Sequence, residues 1–182
     1  VLDQVPDALD LGRRLARDAF SGALRNAKWQ RWHTAEAEDL PEADLVTVSY
    51  VLSELAPEEQ TALVAKAAKN AGAVAVLEPG TPDGYARILA ARQVLTDAGL
   101  HIAAPCPHAA ACPLDAARDW CHFASRINRT PLHRRLKSGD LGHEDEKFSY
   151  VVATRDPLPD PPAGVARAGR ILRHPQKRKG LV

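Results

Sequence analysis

The stretch LVTVSYVLSELAPEEQTALVAKAAKNAGAVAVLEP, residues 45–79, decides the fold. It opens with LVTVSYVL (45–52), a continuous apolar run rich in β-branched side chains. A run without an alternating polar face predicts a strand covered on both faces, as in a parallel sheet. Pro57 then stands where a helix can begin without losing a hydrogen bond, and Glu58 and Glu59 suit the positive end of its dipole. Leu63, Val64, Ala67 and Ala68 give that helix one apolar stripe, and Gly72 is its expected stop. AVAVLEP (73–79) reads as a second buried strand. Strand, helix, strand in this order predicts a crossover unit of a parallel sheet.

The alternation continues outward. Residues 83–98 predict another helix, with Ile88, Leu89, Arg92 and Leu95 on neighbouring turns and Gly99 as its stop. Residues 1–3 read as the end of a strand. Asp7 is suited to cap a helix carrying Ala8, Leu11, Leu15, Ala16 and Ala19 at helical spacing. Past residue 100 the texture changes to a cysteine-bearing segment, APCPHAAACPLDAARDWCHF (104–123). A basic helix candidate follows (129–138), then EKFSYVVATR, a late strand, parallel or antiparallel, with Phe148, Tyr150 and Val152 on one face. Residues 156–182 form a tail with five prolines; from Ala163 onward it has six Lys/Arg and no acid. The expected organisation is one domain over 1–155, including the cysteine segment, and the Pro-rich basic tail over 156–182.

Bulk properties set limits. The chain has 182 residues, 45% hydrophobic and 26% charged, which is enough for one domain with its own core. A net charge of +1 predicts no partner by itself. No apolar run approaches the roughly 18 residues that a membrane span needs. The first residue is Val and Met is absent, so an N-terminal part before Val1 is expected. Three cysteines without a secretory pattern point to a metal or free thiols rather than a disulfide framework.

Ligands of open α/β sheets sit beyond the carboxyl ends of the strands. Asp3 is an acid at such an end, able to accept from both hydroxyls of a ribose, or to act as a plain cap. Asp39 precedes strand 45–52, where an acid can meet an adenine amino group; a surface loop acid is the alternative. Glu78 and Pro79 close the next strand. Glu54 is a candidate acid, a helix-start residue or a buried polar partner. Gly80 and Gly84 in EPGTPDG do not make a G-x-G-x-x-G loop, so a nucleotide-type fold would carry its glycine loop before Val1.

The cysteines, Cys106, Cys112 and Cys121, fall within sixteen residues in the spacing C-x5-C-x8-C. This is neither the C-x2-C pair of zinc ribbons nor the run of bacterial ferredoxins, so spacing alone names no metal. Pro105, Pro107 and Pro113 stiffen the backbone around two of the thiols. Thiolates favour Fe–S, Zn or Cu(I). His108 or His122 could complete a Cys3His zinc site, and three buried free thiols are the third possibility. Arg126, Arg129, Arg134, Arg135 and Lys137, with His133 among them, and Arg167, Arg170, Arg173, Lys177, Arg178 and Lys179 in the tail, could neutralise RNA phosphates; a solvated helix face is the alternative. Trp29, Trp32 and Trp120 suit a core as well as stacking.

VLDQVPDALDLGRRLA with ADLVTVSYVLSEL resembles two blocks of class I S-adenosylmethionine-dependent methyltransferases. PCPHAAACPL, DWCHF, HEDEKFSYV and RILRHPQKRKG together resemble the methyltransferase-like family of the small ribosomal subunit, over nearly the whole chain. The resemblance implies an α/β fold: a class I methyltransferase Rossmann-like sheet, here partial, with a cysteine-containing metal-binding insertion and a basic C-terminal tail. It implies S-adenosylmethionine as cofactor, with Asp3 as the ribose acid; Asp39, read from its place before the strand, is the second cofactor-binding candidate. It implies a [4Fe–4S] cluster on Cys106, Cys112 and Cys121, with zinc as the rival. A fourth family cysteine falls downstream of the basic segment. The implied partners are the small ribosomal subunit and its RNA, with no membrane and no DNA. The implied compartment is the cytoplasm, or the mitochondrion in a eukaryote.

Whether it is an enzyme stays open. SYVLSEL lacks the Asn/Asp-Pro-Pro-aromatic motif that grips a base nitrogen, and no catalytic dyad or triad is visible around Ser49, Tyr50 and Glu54. An RNA methyltransferase, a non-catalytic cluster-bearing assembly factor and a zinc-stabilised small-molecule methyltransferase are the three readings.

Overall fold

The computed structural model describes residues 1–35, 39–106, 108–114 and 118–159. The tail therefore lies outside the described residues from 160 onward. The chain divides into two compact units, Val1–Asp39 and Leu40–Val182.

In the first unit, β1 (Leu2–Asp3) pairs in parallel with β2 (Gln30–Arg31), joined through α1 (Pro6–Arg17) and the short α2 (Gly22–Arg25). The helix cap differs from expectation. Val5 is the N-cap and Asp7 sits inside the first turn, because Pro6 fixes the helical start one residue earlier. The buried stripe is Leu9 and Ala16. Leu11 and Leu15, expected inside, are exposed, Leu15 at 65%. The side chain of Trp29 instead packs against Gly12, where a Cβ would collide with the ring.

The second unit is built on a sheet of five strands. β3 (Ala43–Ser49) and β4 (Ala71–Pro79) run parallel, in register from Ala43↔Ala71 to Ser49↔Leu77, and α3 (Pro57–Asn70) crosses between them. The stripe Leu63, Val64, Ala67 and Ala68 is buried as the sequence predicts. Gly72 is not the helix stop. The chain passes directly from Asn70 into β4, where Gly72 lies against the Asp44 carbonyl of β3. The strand predicted over 45–52 ends at Ser49. Tyr50 takes a left-handed φ of 57° and Leu52–Glu54 form a 3-10 turn. Nor is β3 covered on both faces. It is the edge of the order β3-β4-β7-β5, its one buried residue is Val48, and Leu45 is 54% exposed.

α4 (Pro82–Asp97) follows β4, ends before Gly99 at φ +82°, and leads to β5 (His101–Ala104). The late strand takes the antiparallel direction. β7 (His143–Thr154) inserts antiparallel between β4 and β5, so the sheet is mixed. The reason is visible in β7 itself. Its alternation buries Ser149, Val151 and Ala153 on one side, while Phe148 and Tyr150 cluster with Phe123 on the other. A strand of twelve residues with two apolar faces belongs inside the sheet, not at its margin. A mixed α/β layer of this kind fits a Rossmann-like fold. Val74, Val76, Leu95 and Val151 form its fully buried centre, each side chain stabilising by about 1.5–3 kcal/mol.

The first half of β7 carries an extension. β6 (Phe123–Asn128) pairs with it from Phe123↔Phe148 to Asn128↔His143, and α5 (Pro131–Leu136) sits in the connection. β6 begins at Phe123, so Cys121 precedes the strand that WCHFASRI suggests.

Candidate functional site

The cysteine segment leaves β5 at Ala104 and re-enters the sheet at Phe123. Ala104 stands opposite Val152 and Phe123 opposite Phe148 of the same strand. Four residues of strand span about 13 Å, so β7 draws the two ends of the segment together. Cys106 and Cys121 each lie two residues from those ends.

Four side chains tie the segment down. The Trp120 indole N–H donates to the Gly80 carbonyl at 2.9 Å. The buried Ser149 hydroxyl donates to the Cys121 carbonyl at 2.7 Å. Arg92 of α4 donates to the carbonyls of His108, at 3.0 Å, and Ala110, at 2.7 Å. The Tyr85 hydroxyl lies 3.0 Å from the Cys112 sulfur. None of these partners is adjacent in sequence, which is why the sequence does not announce them. The signal for one was present: Arg92 is a lone charge on an otherwise apolar helix stripe.

Cys106, Cys112 and Cys121 are free thiols, each half-buried. Burial pushes the Cys121 thiol up, and Cys106, Cys112 and Asp119 push it further. Burial likewise pushes the Tyr85 phenol well up, followed by its hydrogen bond to Cys112 and the charges of all three cysteines. The three sulfurs thus lie within electrostatic reach of one another and of one phenol. Three thiolates here would oppose each other's ionisation unless a cation joined them, which is the chemistry of a soft-metal donor set. The side chains are not closed on a common point: among the described residues, no three His, Cys, Asp or Glu groups stand ready to hold a metal ion. The donor chemistry fits a thiolate-bound metal. His108 is exposed. His122 stacks on Trp120 with ring centroids 5.4 Å apart, its Nδ1 3.2 Å from the Trp120 carbonyl.

Asp3 is the last residue of β1. Its Oδ1 accepts the Val5 N–H at 2.8 Å, closing the turn into α1. A carboxylate oxygen has two lone pairs, so both oxygens can still accept from a diol. Asp39 lies in the segment before β3, the last residue of its unit. Pro107 lies outside the described residues. Glu54 is exposed in the 3-10 turn and is no buried partner. Glu78 is the buried acid instead, 0% exposed. Its Oε1 accepts the Leu52 N–H at 3.1 Å and its Oε2 the Arg87 Nε at 2.7 Å. It therefore braces the chain just past Tyr50. The Tyr50 hydroxyl lies 3.4 Å from Glu146, and burial, then Glu146, raise its pKa.

The basic segment resolves into paired and unpaired charges. Arg126 grips Asp145, its cross-strand neighbour, through bonds of 2.7 and 2.8 Å. Glu144 gathers Arg129 at 3.0 Å, Lys137 at 3.4 Å and His133 at 3.6 Å. The guanidinium groups of Arg134 and Arg135 have no partner among the described residues; with Pro131, Ser138, Gly139 and Asp140 they line an open groove. Trp32 is buried, as a core residue would be.

The model of the family described as mitochondrial small ribosomal subunit Rsm22 matches residues 1–182. The chain belongs to the Rsm22 family. No protein of curated function matches it. The Rsm22 match agrees with the methyltransferase-like, small-subunit resemblance carried by the cysteine and EDEKFSY blocks. No described helix is long and apolar enough to cross a membrane.

Proposed function

We propose that this Rsm22-family chain acts in assembly of the small ribosomal subunit as an S-adenosylmethionine-binding, methyltransferase-like protein, with a [4Fe–4S] cluster on Cys106, Cys112 and Cys121. The observation that carries the reading is a cysteine segment whose ends, next to Cys106 and Cys121, are drawn together by β7, with the Tyr85 hydroxyl 3.0 Å from the Cys112 sulfur between them. His122, with Nδ1 at the Trp120 carbonyl, keeps Nε2 for a Cys3His zinc site, which is the rival of the cluster. When bound, the cluster supplies a covalent cross-link through the segment and one-electron chemistry. Asp3 and Asp39 are the residues assigned to the ribose and the adenine. S-adenosylmethionine supplies an electrophilic methyl group. Ribosomal RNA meets the unpaired Arg134 and Arg135, and the setting is ribosome-associated, in the cytoplasm or, in a eukaryote, the mitochondrion.

A non-catalytic assembly role is the second reading. It is favoured by the segment after β3, where Glu78 is committed to bracing Leu52 and Arg87. Complementation separates the readings. Single Cys→Ser variants at 106, 112 and 121 should each lose small-subunit assembly; full assembly with all three would remove the metal centre from the function. Transfer of a labelled methyl group to small-subunit RNA by the full-length protein favours the enzyme. Assembly that survives Asp3→Ala, with no transfer by the wild type, favours the non-catalytic factor.

A further inference from the structure

α4 presents Tyr85, Ile88, Ala91, Arg92 and Leu95 to the interior. Two of these are polar, and they are seven positions apart, two helical turns along one face. Arg92 is 6% exposed. Its guanidinium holds the His108 and Ala110 carbonyls, its Nε is buried without a partner, and no carboxylate pairs with it among the described residues. An arginine keeps its charge in a protein, and burying that charge against dipoles alone is costly. A leucine would fill the same stripe more cheaply, so packing does not account for the residue. What Arg92 touches is the chain between Cys106 and Cys112. Tyr85, 4% exposed, meets the second of those sulfurs.

We propose that Tyr85 and Arg92 are the positioning residues of the cysteine centre. Arg92 fixes the path between Cys106 and Cys112 and places a permanent positive charge beside a site that becomes anionic when its thiols bind metal. Tyr85 donates its O–H to the Cys112 sulfur, orienting that ligand and drawing electron density from it. The inference rests on the metal reading above, but its first part is readable in metal-free protein.

The test uses the full-length protein, cobalt(II) as the metal probe and four forms: wild type, Tyr85→Phe, Arg92→Met and Arg92→Lys. In metal-free Arg92→Met, amide exchange should quicken in peptides covering 108–114 while β4 and β7 stay protected. Its cobalt affinity should fall about 10- to 100-fold, the usual cost of removing a supporting shell. Arg92→Lys should recover part of both. Tyr85→Phe should keep its affinity within that range but move the thiolate-to-cobalt absorption to lower energy, since a sulfur without its hydrogen bond gives up electrons more easily. Unchanged exchange and affinity in Arg92→Met would overturn its role, and an unmoved absorption in Tyr85→Phe would overturn the other. A wild type with no thiolate–cobalt absorption would overturn the metal reading and Tyr85's part in it, leaving exchange to decide Arg92 alone.

Discussion

Glu78 shows how a single side chain can hold two elements in a strained arrangement. It is fully buried at the end of β4, yet its two oxygens serve the Leu52 N–H and the Arg87 Nε. The first bond fixes the 3-10 turn and the second ties β4 to α4. Together they stabilise the left-handed Tyr50, a conformation that costs a non-glycine residue of order 1–3 kcal/mol. Arg87→Met would leave a buried carboxylate unpaired. The expected loss is about 3–5 kcal/mol in chemical denaturation. A loss below about 1 kcal/mol would place the pair with solvent-exposed ion pairs. The sequence shows that an acid closes this strand. It does not show which group the acid serves, because Leu52 and Arg87 reach it from opposite sides in the chain.

At the scale of elements, the extension of β6, α5 and the first half of β7 is held by charge as much as by packing. Ile127, Leu132, Leu136 and Leu141 are exposed, so apolar burial contributes little there. The Arg126 hydrogen bond, and then its charge, hold the Asp145 carboxyl below its usual range; Arg129, then Lys137, do the same for Glu144, with burial opposing in both cases. A carboxylate whose folded pKa is depressed stabilises fully above its unfolded value and loses that contribution as pH falls through the folded one. The extension should therefore stay paired through about pH 4, where free carboxylates protonate, and loosen only below it. Carboxyl-carbon titration of Asp145 and Glu144 checks this directly, and midpoints at the ordinary carboxylate values would contradict it.

The same elements show where patterning suffices. The α3 stripe, the stop at Gly99 and the existence of a late strand over EKFSYVVATR follow from local pattern, which reports local faces. The edge position of β3 and the insertion of β7 do not, because strand order is set by which faces find partners far along the chain. The LVTVSYVL run looks doubly covered, yet Tyr50 turns out of the strand and Leu45 stays exposed. In the candidate site the cysteines are evident from composition. The roles of Tyr85, Ser149 and Trp120 are not, since each acts on a residue at least 27 positions away; of Arg92 only its lone charge on the stripe is legible.

On the scale of the whole molecule, a Rossmann-like sheet carries two attachments on one strand: the cysteine segment between β5 and β6, and the basic extension between β6 and β7. Both depend on β7, so thiols and free arginines belong to one cooperative unit. If RNA phosphates meet Arg134 and Arg135, Arg134→Gln/Arg135→Gln should weaken RNA binding across sequences. The slope of log affinity against log salt should fall by about 2, one unit per lost contact. An unchanged slope would move the RNA contact elsewhere.

The thiols are tested most directly by iron, acid-labile sulfide and zinc per chain, with a visible spectrum, on full-length protein purified without oxygen. A [4Fe–4S] centre predicts a brown protein with about four iron and four sulfide per chain, lost in the Cys112→Ser variant. A colourless wild-type protein carrying stoichiometric zinc, or no metal at all, would contradict it.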